Sequence, residues 1–132
     1  MDESDLRSIA LFEPLSRDAR RVVAQHADRL RVPEGTKLVS QGDFAYEFFV
    51  IVDGSAEVVR DGERVAELSP GDFLGEMGIV GKAVRNATVV TTSEADVIVM
   101  AERDFRSMAR QSPDVASRIE AAVEERSRRI VG

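Results

Sequence analysis

The chain has 132 residues, 43% hydrophobic and 32% charged, which suits one soluble globular domain with its own core. It has no cysteine, which excludes a disulfide framework and a thiolate metal site, and no apolar run long enough for a spanning helix. The net charge of −6 arises from residues 33–113, which hold fourteen acids and eight bases, and no basic stripe marks a nucleic-acid binder.

The start, "MDESDLRSIA", is acidic and unlike a signal or transit peptide, and the absence of cysteine suits a reducing cytoplasm, the expected location. Sixteen Arg against two Lys point to a GC-rich bacterial genome. Residues 1–31 read as helical. Ser4 is expected to cap a short first helix carrying Leu6, Ile9 and Ala10. Pro14 interrupts, and Ser16 caps a longer helix, "SRDARRVVAQHADRL". There Ala19, Val22, Val23, His26, Ala27 and Leu30 recur at three- and four-residue steps and share one face. His26, on that face, reads as a half-buried, hydrogen-bonded core residue rather than a ligand.

From residue 32 to 101 the rhythm changes to short apolar runs between turn signals, and eight of the nine Gly fall between Gly35 and Gly81. The runs are "TKLVS", "EFFVIV", "SAEVVR", "RVAEL", "RNATVVTT" and "ADVIVMA". Asp61–Gly62 lies between two of them, and Asp-Gly favours the two-residue type I′ hairpin turn. About eight short strands at near-regular spacing predict a mainly β fold, a β-sandwich or jelly-roll barrel with helices packed on it.

Residues 102–132 return to helix. "ERDFRSMARQ" puts Phe105 and Met108 on one side, and Ser112 with Pro113 opens a long helix. Val115, Ile119, Ala122, Val123 and Ile130 trace a narrow stripe on it, suited to one surface contact. The whole chain, 1–132, reads as one domain, and no basic recognition helix follows, which argues against DNA binding.

The chemistry is expected between Phe73 and Val89, "FLGEMGIVGKAVRNATV". A single helical turn from Gly75 to Val80 would present free amides to an anion, and Gly75 and Gly78 would let a ligand approach the backbone. Arg85 offers a planar fork that donates two charge-assisted hydrogen bonds to a phosphate. Glu76 can only accept when ionised, so it would take a hydroxyl and orient Arg85. One hydroxyl acceptor and one clamp for a single negative charge fit a ribose bearing a phosphodiester. Alone, a Glu–Arg pair at this spacing is more often a surface salt bridge worth about 0–1 kcal/mol.

"GEMGIVGKAVRNATV" resembles the phosphate-binding cassette of the cyclic nucleotide-binding domain family, the type found in catabolite activator protein and in protein kinase A regulatory subunits. The likeness extends to "LFEPLS", "EGTKLVSQGD", "FFVIVDGSAEV", "LSPGDFLGE" and "VIVMAERDFRSM", in the family's order, over nearly all of residues 11–130. It implies that Glu76 binds the ribose 2′-hydroxyl and Arg85 the exocyclic phosphate oxygen. It implies further that amides at Gly75, Gly78 and Ala87 line the sugar phosphate, and that Met77, Val89 and Phe73 pack around the ligand. Val84 stands where Pro is usual, and Asn86 fills the slot where a hydroxyl residue goes with cyclic GMP preference. The implied ligand is cAMP, with cGMP the alternative. The implied role is a regulatory sensor working through its last helix on an effector or a second copy of the chain. No catalytic or metal role is expected, since one His cannot make a cupin metal site and no nucleophile triad can be assembled.

Overall fold

A computed structural model describes residues 1–43, 47–74 and 87–131, the side chains of 122–124 and 126–131 excepted. It divides into a helical unit, Met1–Ala27 with Arg103–Gly132, and a β unit, Asp28–Glu102.

Among the described residues the β unit has strands β1 (Asp28–Val32), β2 (Lys37–Val39), β3 (Glu47–Asp53), β4 (Ala56–Arg60), β5 (Glu63–Leu68), β6 (Phe73–Leu74), β7 (Thr88–Thr91) and β8 (Ala95–Ala101). They form two antiparallel four-stranded sheets, ordered β1-β8-β3-β6 and β2-β7-β4-β5. This is the expected mainly β sandwich. Phe49 and Ile51 on β3, opposite Val99 and Val97 on β8, meet Ala56 and Val89 of the second sheet in the core between them. Each of the Val, Ile and Phe side chains, fully buried, contributes about 1.5–3 kcal/mol. β3 is buried from Phe48 through Ile51, so this strand is shielded from water on both faces.

The hairpin signal gave the right turn. Asp61 and Gly62 have φ of 53° and 82°, the two left-handed residues of a type I′ turn, and join β4 to β5. The second glycine with a steric role is Gly54, at φ 89°, where a Cβ would lie 2.5 Å from the Glu94 carbonyl oxygen.

In the helical unit a 3-10 helix spans Glu3–Leu6, α1 spans Arg17–His26, α2 spans Glu102–Gln111 and α3 spans Pro113–Val131. Ser16 caps α1 as expected, its hydroxyl accepting from the Ala19 N–H at 3.1 Å. Two expectations fail here. Asp2, not Ser4, precedes the first turn, because Ser4 lies inside it and its hydroxyl donates to the Asp2 carboxylate at 2.9 Å. The longer helix stops at His26, and Asp28–Val32 is strand β1, so the β-roll begins at residue 28. Register explains the second failure: Asp28 through Val32 pair one for one with Val99 through Ala95, and Leu30 is 46% exposed. Pairing across the sheet overrides a helical period that merely continues by chance.

Candidate functional site

Two strands bracket the stretch expected to bind ligand. β6 is an edge strand in one sheet, with Leu74 opposite Phe49 and Phe73 opposite Val50. β7 lies inside the other sheet, between β2 and β4. The chain therefore leaves one sheet at Leu74 and joins the other at Thr88, and residues 75–87 connect the two. Gly75, Glu76, Met77, Gly78, Arg85 and Asn86 lie outside the described residues, as does the expected Gly75–Val80 turn. Phe73, Ala87 and Val89 are described.

The way into this segment is stitched down. In the turn before β6 the Ser69 N–H donates to the Asp72 carboxylate at 2.8 Å, and the Asp72 N–H to the Ser69 carbonyl at 3.0 Å. Gly71 N–H donates to the Ile51 carbonyl and Ile51 N–H to the Asp72 carbonyl, both at 2.8 Å, which ties the turn to β3. Phe73 is buried, and its ring lies 5.8 Å from that of Phe48, on the face away from the core between the sheets. Val89 faces that core. The structure thus places Phe73 and Val89 on different faces.

The way out is equally fixed. Ala87 is 6% exposed and Val89 4%. At one end of β7 the Thr88 hydroxyl accepts from the Gln41 N–H at 2.9 Å. At the other, the buried Thr91 hydroxyl donates to the Pro33 carbonyl at 2.8 Å and accepts from the Thr36 N–H at 2.9 Å. Both partners of Thr91 are backbone groups, so a hydroxyl is required there. Chemically, the described part of the stretch contributes buried apolar side chains at Ala87 and Val89, the latter in register with Val39 and Val58.

His26 is half-buried on α1, and its Nδ1–H donates to the Val22 carbonyl at 2.8 Å, as a core histidine would. Among the described residues no cluster of His, Cys, Asp or Glu is placed to hold a metal, and no helix is long and apolar enough to cross a membrane. A groove of about 680 Å³ in the helical unit, lined by Leu15, Ala19, Val22, Ser112 and Arg118 among others, includes none of the expected site residues.

Sequence reasoning missed two charged or polar clusters. Glu3 is 6% exposed, and its carboxylate accepts from Arg7 and Arg20; these guanidinium hydrogen bonds lower its pKa from 4.5 to about 2. Asp96 on β8 accepts from Arg29 on β1 at 3.0 Å, which likewise lowers its pKa. An acid and a base lying seventeen or sixty-seven residues apart leave no local signal.

The family model described as "Cyclic nucleotide-binding domain" matches residues 29–112, a span that contains the whole of Phe73–Val89. The chain belongs to the cyclic nucleotide-binding domain family. A cAMP-dependent protein kinase regulatory subunit of Mycosarcoma maydis is 37% identical over 112 residues, 78% of this chain and 21% of that protein. The Pycsar effector protein XpPycTIR of Xanthomonas perforans is 37% identical over 109 residues, 82% of this chain and 36% of that protein. This cyclic nucleotide-binding domain thus spans about a fifth and about a third of the two curated relatives. Among solved structures, the catabolite activator protein of Thermus thermophilus has the same fold, with a TM-score of 0.79 at 24% identity over 90% of this chain and 58% of that one.

Proposed function

We propose that this chain binds a cyclic nucleotide, cAMP in the first place, and acts as a regulatory rather than a catalytic module. The supporting observation is that the family match runs through Phe73–Val89 and that this stretch keeps both Glu76 and Arg85. In this reading Arg85 takes the phosphate and Glu76 the ribose 2′-hydroxyl. The amides of Gly75, Gly78 and Ala87 line the sugar phosphate, Met77 and Val89 supply apolar contact, and Asn86 bears on the choice of base. Phe73, seated on Phe48, anchors the start of the segment. No metal or further cofactor is required. The name of the Mycosarcoma maydis relative favours cAMP over cGMP. The output is a shift of α3, read in the cytoplasm by an effector protein or a second copy of the chain; nucleic acid and membrane have no part in it. A ligand drives such a shift only through contacts that differ between the two states.

Calorimetric titration with cAMP and cGMP tests the reading, with Arg85→Ala as the control. Truncating one partner of a buried charge pair costs about 2–5 kcal/mol, roughly 30- to 3,000-fold in dissociation constant. Wild-type protein that takes up neither nucleotide overturns the proposal. Equal affinity in Arg85→Ala removes that residue from the site.

A further inference from the structure

A strap crosses the sheet where the segment carrying Arg85 joins it. β7 lies between β2 and β4, and Thr88, its first residue, pairs with Val59 near the end of β4. Gln41 follows β2 and Asp61 follows β4, so both stand at the Thr88 end of β7 from opposite sides. Gln41 spans the gap. Its side-chain Nε2 donates to the Asp61 carboxylate at 2.8 Å, its Oε1 accepts from the Asp61 N–H at 3.0 Å, and its own N–H donates to the Thr88 hydroxyl at 2.9 Å.

Each bond is exposed and modest for folding, about 0.5–1.5 kcal/mol. Their placement matters more than their sum. Asp61 sits in the left-handed turn of the β4–β5 hairpin, a rigid point, and Thr88 follows Arg85 by three residues. A one-residue slip of a strand turns its side chains to the other face. Gln41 therefore ties the register of β7 at its first residue to the hairpin turn.

We propose that Gln41 and Asp61 are positioning residues for cyclic nucleotide binding, holding the start of β7, and so the direction of the preceding residues, without touching ligand. This rests on the function proposed above. It also makes the β4–β5 hairpin turn a place from which affinity can be tuned.

Gln41→Glu puts a second carboxylate against Asp61 and removes the side-chain donor, while Gln41→Glu combined with Asp61→Asn exchanges donor and acceptor and restores the bond between the two side chains at the same net charge. Asn suits the left-handed turn as well as Asp does. The 132-residue chain is titrated with cAMP and cGMP, and amide exchange at Thr88–Val90 is followed without nucleotide. We expect Gln41→Glu to bind about 2- to 13-fold more weakly, as the loss of one such bond implies, to exchange faster at Thr88–Val90, and to keep its melting temperature within a few degrees. The double variant should recover both affinity and protection, which a general loss of stability would not produce. If Arg85→Ala loses nucleotide while Gln41→Glu binds like wild type, the site stands and the strap fails. If wild type takes up neither nucleotide, the functional reading fails and the ligand half of this inference with it. Exchange at Thr88–Val90 unchanged by Gln41→Glu overturns the strap itself.

Discussion

Arg20 donates from Nε to the buried carboxylate of Glu3 at 2.7 Å, and from Nη1 to the carbonyls of Glu13 and Leu15. One guanidinium thus ties the first helical turn to the segment that leads into α1. A buried carboxylate is tolerated only when paired in this way.

The pair predicts a pH dependence. The folded-state pKa of Glu3 is lowered from 4.5 to about 2, so the ionised pair stabilises fully above pH 4.5 and is lost as pH falls towards 2. Glu3→Gln should melt lower than wild type at pH 7, and the gap should narrow steadily below pH 4.5. Thermal melts from pH 7 to pH 2.5 read this directly. A gap that stays constant across the range would show that charge is not what Glu3 contributes.

Gly54 should be far less replaceable than Gly35. Both have positive φ, 89° and 84°, but a Cβ at Gly54 meets the Glu94 carbonyl oxygen at 2.5 Å and the Ala95 Cα at 2.9 Å, whereas Gly35 has open space. Gly35→Ala pays only for the left-handed backbone, about 1–2 kcal/mol. Gly54→Ala adds overpacking of about 1–3 kcal/mol against backbone that cannot swing aside. Urea unfolding of the two variants separates them, and equal midpoints would mean that the β3–β4 turn can shift away from β8.

The difference between what was and was not legible in the sequence follows the range of the interactions. The Asp61–Gly62 turn and α2 at Glu102–Gln111 rest on local chemistry, and both stand where expected. Asp28–Val32 misled because a helical period can be continued by chance, while the choice of strand is made by β8, more than sixty residues away. The Gln41–Asp61 bonds were invisible for the same reason, although Asp61 stands in the expected hairpin turn. At the site, the stretch itself was marked by its own residues. That Phe73 and Val89 face different ways was not, since it depends on which sheet each strand joins.

If Glu76 reads the ribose, removing either partner of that hydrogen bond should weaken binding. Wild type should then bind 2′-deoxy-cAMP poorly, because the Glu76 carboxylate would be left without its donor, at about 1–3 kcal/mol or roughly 5- to 150-fold. Glu76→Gln keeps an acceptor, so its loss should be smaller than that of Arg85→Ala. Competition binding with the two nucleotides measures both. Equal affinity for the ribose and 2′-deoxy forms would free Glu76 of that role.

On α3, Val115, Ala116 and Ile119 are buried, whereas Glu120, Ala121 and Glu125 are exposed, and the rest of the expected stripe, Ala122, Val123 and Ile130, lies outside the described side chains. Beyond Ile119 no described side chain is buried. A helix end with few apolar contacts opens locally at low free energy, and its amides exchange quickly. A nucleotide that draws α3 towards itself must slow that exchange, because the contacts it adds exist only in the bound state. Saturating cAMP should therefore protect amides from Glu120 onward more than those of Val115–Ile119, which burial already holds. Hydrogen-exchange mass spectrometry resolves the two halves. Tight binding with no change beyond Glu120 would mean that α3 is a fixed element and that the signal leaves the β unit by another route.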